Sequence, residues 1–121
     1  YGHERGAGRG EGFTLNLPLP QGTTEDAFLA AVEQALGAIG RFAPTVMVLS
    51  LGFDTFKDDP LAFFGVTTPG FERLGRLIGG AALPTVLIQE GGYAVDHLAA
   101  NLTSFLTGFE ATHRLSEPAA A

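Results

Sequence analysis

Val46-Met47-Val48-Leu49-Ser50-Leu51 is an almost unbroken apolar run, and Gly52-Phe53-Asp54 follows it directly. A strand with one solvated face alternates apolar and polar residues. A run without that alternation is the pattern of a strand covered on both faces, as in parallel sheets. Thr85-Val86-Leu87-Ile88-Gln89 repeats it and leads into the turn Glu90-Gly91-Gly92-Tyr93. Between the two runs lie a polar loop, 52–65, and a segment with Phe71, Leu74 and Ile78 at helical spacing. Thr68, with Pro69 at the first helical position, opens that helix, and Gly79 and Gly80 stop it. Strand, helix, strand is the unit from which parallel sheets are built.

The same alternation extends outward. Thr23 or Thr24 can cap a helix with Glu25 and Asp26 in its first turn, where acids suit the helix dipole. Phe28, Val32, Leu36 and Ile39 form its buried stripe, and Gly40 and Pro44 end it. Before it, apolar residues at 13, 15 and 17 predict a short strand, Phe13 to Leu17, closed by Pro18 and Pro20. Residues 1–12, with glycine at 2, 6, 8, 10 and 12, read as a flexible loop. A last helix is expected from Val95 to Phe109, with Leu98, Leu102 and Phe105 on one side, and 110–121 as a frayed tail. The fold class is α/β, a partial parallel sheet of three strands with helices on both faces. Three strands are few for such a sheet, and several helices would keep an uncovered apolar face. The chain also opens at Tyr1 in a glycine-rich, charged run. Together these read as an internal segment of a longer domain.

The 121 residues allow one domain at most, and with 45% hydrophobic and 17% charged residues the chain is expected to fold. The net charge of −6 disfavours nucleic acid and anionic membranes as partners, because both require a basic surface. There is no cysteine, which excludes disulfides and thiolate zinc sites, and no apolar stretch reaches the roughly 20 residues of a membrane span. No signal peptide is visible, so a cytoplasmic protein is the simplest reading.

In open α/β sheets, ligands bind beyond the carboxyl ends of the strands. Two loops leave such ends here, one with Asp54 and one with Tyr93. If the two strands are neighbours, roughly 5 Å apart, both side chains rise from one edge and could converge on a small ligand. A carboxylate is a hard oxygen ligand for a divalent cation, and a phenol can donate a hydrogen bond to an oxyanion. Gly91 and Gly92 would let a substrate pass close to the backbone. The plainer alternative is that Asp54 caps a turn and Tyr93 fills a surface groove.

Gly-Phe-Asp-Thr-Phe-Lys-Asp-Asp-Pro-Leu at 52–61, Glu-Gly-Gly-Tyr at 90–93 and Asn16-Leu17-Pro18-Leu19-Pro20 after a glycine-rich loop stand in order along the chain. In these segments the chain resembles the histone deacetylase and acetylpolyamine amidohydrolase family, in the C-terminal portion of its catalytic domain. Asp-Pro-Leu-Ala-Phe-Phe at 59–64, Val-Thr-Thr and Gly75-Arg76 look more like the bacterial acetylpolyamine amidohydrolases than the nuclear enzymes. The resemblance implies the arginase/deacetylase fold and a zinc-dependent amidohydrolase acting on small acetylated amines. It implies that Asp54 is one of three zinc ligands and that Tyr93 is catalytic, polarising the acetyl carbonyl. Leu61 would lie at the rim of the substrate channel, with Gly92 on its wall.

Departures from the family pattern are equally specific. The Asp-x-His motif that supplies the other two zinc ligands is absent, as is the pair of histidines that activates water. His3, His97 and His113 are isolated and read as surface residues, and Asp58 reads as an exposed loop charge. One carboxylate cannot hold zinc in a four-ligand site, so the chain alone is expected to be inactive. It would need its missing N-terminal portion or a homodimer partner. The glycine run at 6–12 does not satisfy Gly-x-Gly-x-x-Gly and precedes a strand, so phosphate binding is disfavoured. The competing reading is a non-catalytic binding or dimerising module derived from the same fold.

Overall fold

The computed structural model describes residues 1–114. After a short 3-10 turn at Gly8–Gly10, the elements run β1 (Thr23–Thr24), α1 (Glu25–Phe42), β2 (Met47–Leu51), β3 (Phe64–Gly65), α2 (Thr68–Gly79), β4 (Thr85–Gln89) and α3 (Val95–Thr112). The α/β alternation with parallel strands is as expected. β2 and β4 pair in parallel, from Met47 on Thr85 to Leu51 on Gln89, while β1 and β3 form a second, two-residue parallel pair.

Several expectations change. The strand at Phe13 to Leu17 is absent: the segment finds no partner strand among the described residues. Phe13 instead packs edge-on against Phe42, ring centroids 5.8 Å apart. The last helix does not stop at Phe109 but runs to Thr112, so 110–112 are helical; the end of the expected tail, 115–121, lies outside the described residues. All three helices lie in one layer, in the order α1, α2, α3, against the face that carries Met47, Leu49, Leu51 and Leu87. The opposite face, with Val48, Val86 and Ile88, is exposed, and its expected helical cover is not among the described residues.

Local chemistry accounts for the helix ends. The Thr24 hydroxyl accepts from Ala27 N–H at 3.4 Å, and Ala43 turns α1 off in the left-handed region at φ 53° just before Pro44. At α2, Thr67 is the cap, one residue earlier than expected, and accepts from Gly70 N–H at 3.0 Å. Glu25 reaches across from α1 to accept from Thr67 N–H at 2.9 Å and Thr67 Oγ1 at 2.6 Å, while Arg73 bridges Glu25 and Asp26. Burial alone would raise the Glu25 carboxyl, but the Thr67 donors and Arg73 hold it below its ordinary value.

α2 and α3 touch backbone to backbone. A Cβ on Gly75 would overlap the Phe105 carbonyl, and one on Gly108 would overlap the Glu72 carbonyl. Asn101, fully buried in the same interface, accepts from Thr68 Oγ1 at 2.6 Å, and Thr112 Oγ1 donates to Arg76 O at 2.9 Å.

Gly75→Ala and Gly108→Ala should each destabilise by about 1–3 kcal/mol in urea titration, because neither helix backbone can yield alone. Gly37→Ala, whose Cβ would meet only the tip of Arg41 at 3.6 Å, should instead stabilise by about 0.5–1 kcal/mol. Because the folded Glu25 pKa is depressed, its contribution is present above pH 4.5 and lost as pH falls through the folded value. Glu25→Gln should therefore lower stability near neutrality and flatten the acid limb of a stability-against-pH profile.

Candidate active site

The β2–β4 ladder continues past the last strand residues. Glu90 N–H donates to Leu51 O at 2.9 Å, and Phe53 N–H donates to Gly91 O at 2.8 Å. Phe53 is buried, its ring 5.0 Å from that of Phe71, and this anchor leaves the next side chain, Asp54, at the sheet edge. The strands are thus neighbours, and the loops carrying Asp54 and Tyr93 leave the same edge.

The Asp54 carboxylate lies over Gly91. A Cβ on Gly91 would overlap Asp54 Oδ2, and one on Gly52 would come within 2.6 Å of Oδ1. Gly92, at φ 140°, has Phe53 Cβ 2.9 Å and Leu98 Cδ1 3.1 Å from where its own Cβ would stand. The space that both glycines leave open is therefore used by side chains of this chain. Asp54 and Leu61 line one depression of about 250 Å3 with Thr55, Phe63 and Phe64. Tyr93, 53% exposed, is on the neighbouring loop and does not line this depression.

No donor among the described residues reaches the Asp54 carboxylate, so it has free lone pairs for a cation. As a hard oxygen donor it fits one position of a zinc site. No three His, Cys, Asp or Glu side chains converge among the described residues, so these residues do not complete a zinc site around it. The histidines lie elsewhere: His3 stacks on Tyr1, and His97 tilts against Phe56 at 5.0 Å. His113 is half-buried, not a free surface residue; its Nε2 is 2.9 Å from Leu83 O, and its ring stacks on Phe109. Asp58 pairs with Lys57 in the exposed loop.

Asp59 is the residue whose part the sequence concealed. It is 5% exposed, and its Oδ2 accepts from Tyr93 N–H at 2.6 Å and Ala94 N–H at 3.0 Å, while Oδ1 accepts from Leu61 N–H at 2.9 Å. Burial would raise this carboxyl, and the three N–H groups overcome that and hold it below the ordinary aspartate value. Pro60 and the spacing to Asp54 marked the segment, but no local pattern reveals an acceptor for amides 34 and 35 residues away.

A histone deacetylase domain matches residues 1–109, and the chain belongs to that family. Within it, the chain is 54% identical to the acetylpolyamine amidohydrolase of Burkholderia pseudomallei over 92% of its length, and 42% identical to acetylpolyamine amidohydrolase 1 of Pseudomonas aeruginosa over 94%. A crystal structure of acetylpolyamine aminohydrolase from Burkholderia pseudomallei superposes on 93% of the chain with a TM-score of 0.91. In each case the chain spans 33% of the relative's length. No helix of the described residues is long and apolar enough to cross a membrane.

Gly92→Ala should cost about 1–3 kcal/mol in denaturant titration, because both its φ and its surroundings refuse a side chain. Gly91→Ala should cost little, since Asp54 can swing aside. It should nevertheless shift the Asp54 carboxyl carbon resonance, which Gly37→Ala should leave in place.

Proposed function

We propose that this chain supplies the carboxylate ligand and the catalytic phenol of a zinc-dependent amidohydrolase that removes acetyl groups from small acetylated amines. The observation that carries the reading is the prolonged β2–β4 ladder, which delivers Asp54 and Tyr93 to one sheet edge. Relatives that bear the name acetylpolyamine amidohydrolase favour an acetylated polyamine over acetyl-lysine as substrate. Asp54 would hold the metal. Bound zinc supplies Lewis-acid polarisation of the acetyl carbonyl and lowers the pKa of water. Tyr93 donates its phenol hydrogen to the carbonyl oxygen and keeps that bond as negative charge grows there, where it is strongest. Leu61 forms the apolar rim and Gly92 the wall of the substrate passage. Water adds to the carbonyl carbon, the C–N bond breaks, and acetate and the free amine leave. The Asp-x-His motif and the histidine pair that would supply the remaining ligands and the general base are absent from the sequence, so the 121 residues alone are inactive.

A second reading, a non-catalytic module that associates through its sheet, is favoured by the exposed Val48, Val86 and Ile88. Concentration-dependent assembly of the isolated chain without zinc binding would support it.

The test replaces the matching third of the Burkholderia pseudomallei relative with this chain. The hybrid should bind zinc and hydrolyse an acetylated polyamine. Asp54→Asn should lose zinc and activity together, whereas Tyr93→Phe should keep zinc and lose kcat by roughly 10²–10³-fold. A fully active, zinc-loaded Asp54→Asn hybrid would sink the reading. Calorimetry on the isolated chain should find no tight zinc site, and stoichiometric binding there would show that it completes the site without other residues.

A further inference from the structure

Asp59 is a charged side chain buried away from solvent, and it has no part in the chemistry proposed above. Each of its two oxygens faces a different loop. Oδ1 holds Leu61 N–H, at the rim of the depression beside Asp54, and Oδ2 holds Tyr93 and Ala94 N–H in the turn before α3. We infer that Asp59 is a positioning residue, whose carboxylate sets the Tyr93 phenol and the Leu61 rim relative to one another.

The local sequence explains why a distant side chain is needed. α3 begins after Tyr93-Ala94, and Ala94 offers no side-chain acceptor to cap it. The first N–H groups of a helix lack intrahelical partners and carry its positive dipole end. An anionic acceptor there makes stronger bonds than a neutral one. Asp59 is itself fixed: its N–H donates to Phe56 O at 3.0 Å and its carbonyl accepts from Ala62 N–H at 2.8 Å, so its backbone closes two successive turns. Phe56, at the head of the first turn, is buried and packs on His97 in the first turn of α3. A displacement of the 56–62 loop is therefore transmitted to Tyr93 through both the carboxylate and that ring pair. The catalytic consequence rests on the deacetylase reading of Tyr93, but the hold on its backbone does not.

Amide hydrogen exchange on the unsubstituted chain gives the first test. Tyr93, Ala94 and Leu61 should exchange slower, by on the order of tenfold or more, than Val95 and Asp96, whose first-turn N–H groups meet no acceptor among the described residues. Equal rates would overturn the inference without any substitution. Asp59→Asn keeps the shape but turns an N–H donor toward at least one of the three amides. All three should then accelerate together while β2 and β4 keep their protection, and Asp58→Asn should change none of them. A uniform loss of protection across the sheet would reduce Asp59 to a general stabiliser and overturn the positioning role.

The chain has two tyrosines and no tryptophan, so Tyr1→Phe leaves Tyr93 as its fluorophore. Adding Asp59→Asn should alter Tyr93 emission and lower its anisotropy; an unchanged signal would count against control of the side chain. In the active hybrid, Asp59→Asn should lower kcat by more than it raises KM, with bound zinc as it was, and an unaltered kcat would overturn the inference. If the unsubstituted hybrid is itself inactive, the deacetylase reading fails, and exchange and fluorescence still decide what Asp59 holds.

Discussion

Five residue pairs, from Met47 on Thr85 to Leu51 on Gln89, fix where everything else in this chain can stand. A slip of one residue in that register would turn Met47, Leu49 and Leu51 from the helices toward the bare face, so burial holds it firmly. The same ladder runs on through Leu51–Glu90 and Phe53–Gly91, which carries the register into the two loops. Asp54 reaches Gly91 because the strands beneath them are in step. A carboxylate and a phenol 39 positions apart in sequence thereby share one edge.

The helical layer is held by a different constraint. α2 and α3 approach until Gly75 meets the Phe105 carbonyl and Gly108 meets the Glu72 carbonyl, a distance only glycine permits. Glycine within a helix weakens it by roughly 0.5–1 kcal/mol, so the close approach must return more than that through packing. Buried Asn101 and Phe105 occupy the same interface, and Ser104 Oγ donates to Thr68 O at 2.6 Å.

Carboxylates from earlier in the chain complete both of the later helices. Glu25 sits over Gly70 and accepts from Thr67 at the start of α2, and Asp59 accepts from Tyr93 and Ala94 at the start of α3. Asp59 is buried and kept ionised by three backbone N–H groups, whereas half-buried Glu25 is kept so by the Thr67 hydroxyl and N–H together with Arg73. These carboxylates tie α1 to α2 and the 54–62 loop to α3, so the acid side of the stability profile and the geometry of the candidate site share one physical origin.

Much was determined locally. The unbroken apolar runs at 46–51 and 85–89 marked two strands, though one face of both is bare among the described residues; the spacing of Phe28, Val32, Leu36 and Ile39 marked α1, and Pro69 marked the start of α2, because periodicity and backbone restriction act over a few residues. The segments around Asp54 and Tyr93 were legible by their resemblance to a family, and their neighbouring strands put them on one edge. Pairing between distant segments was not legible. Phe13 to Leu17 has the alternation of a strand, yet a strand exists only where a partner offers hydrogen bonds, and none of the described residues does so. The reason for Gly75, Gly91 and Gly108 lies in atoms that approach from elsewhere in the fold. Asp59 reads in sequence as a loop acid before proline; it becomes a buried anchor only when the fold brings unpaired amides to it, since what a charge does is set by the partners around it.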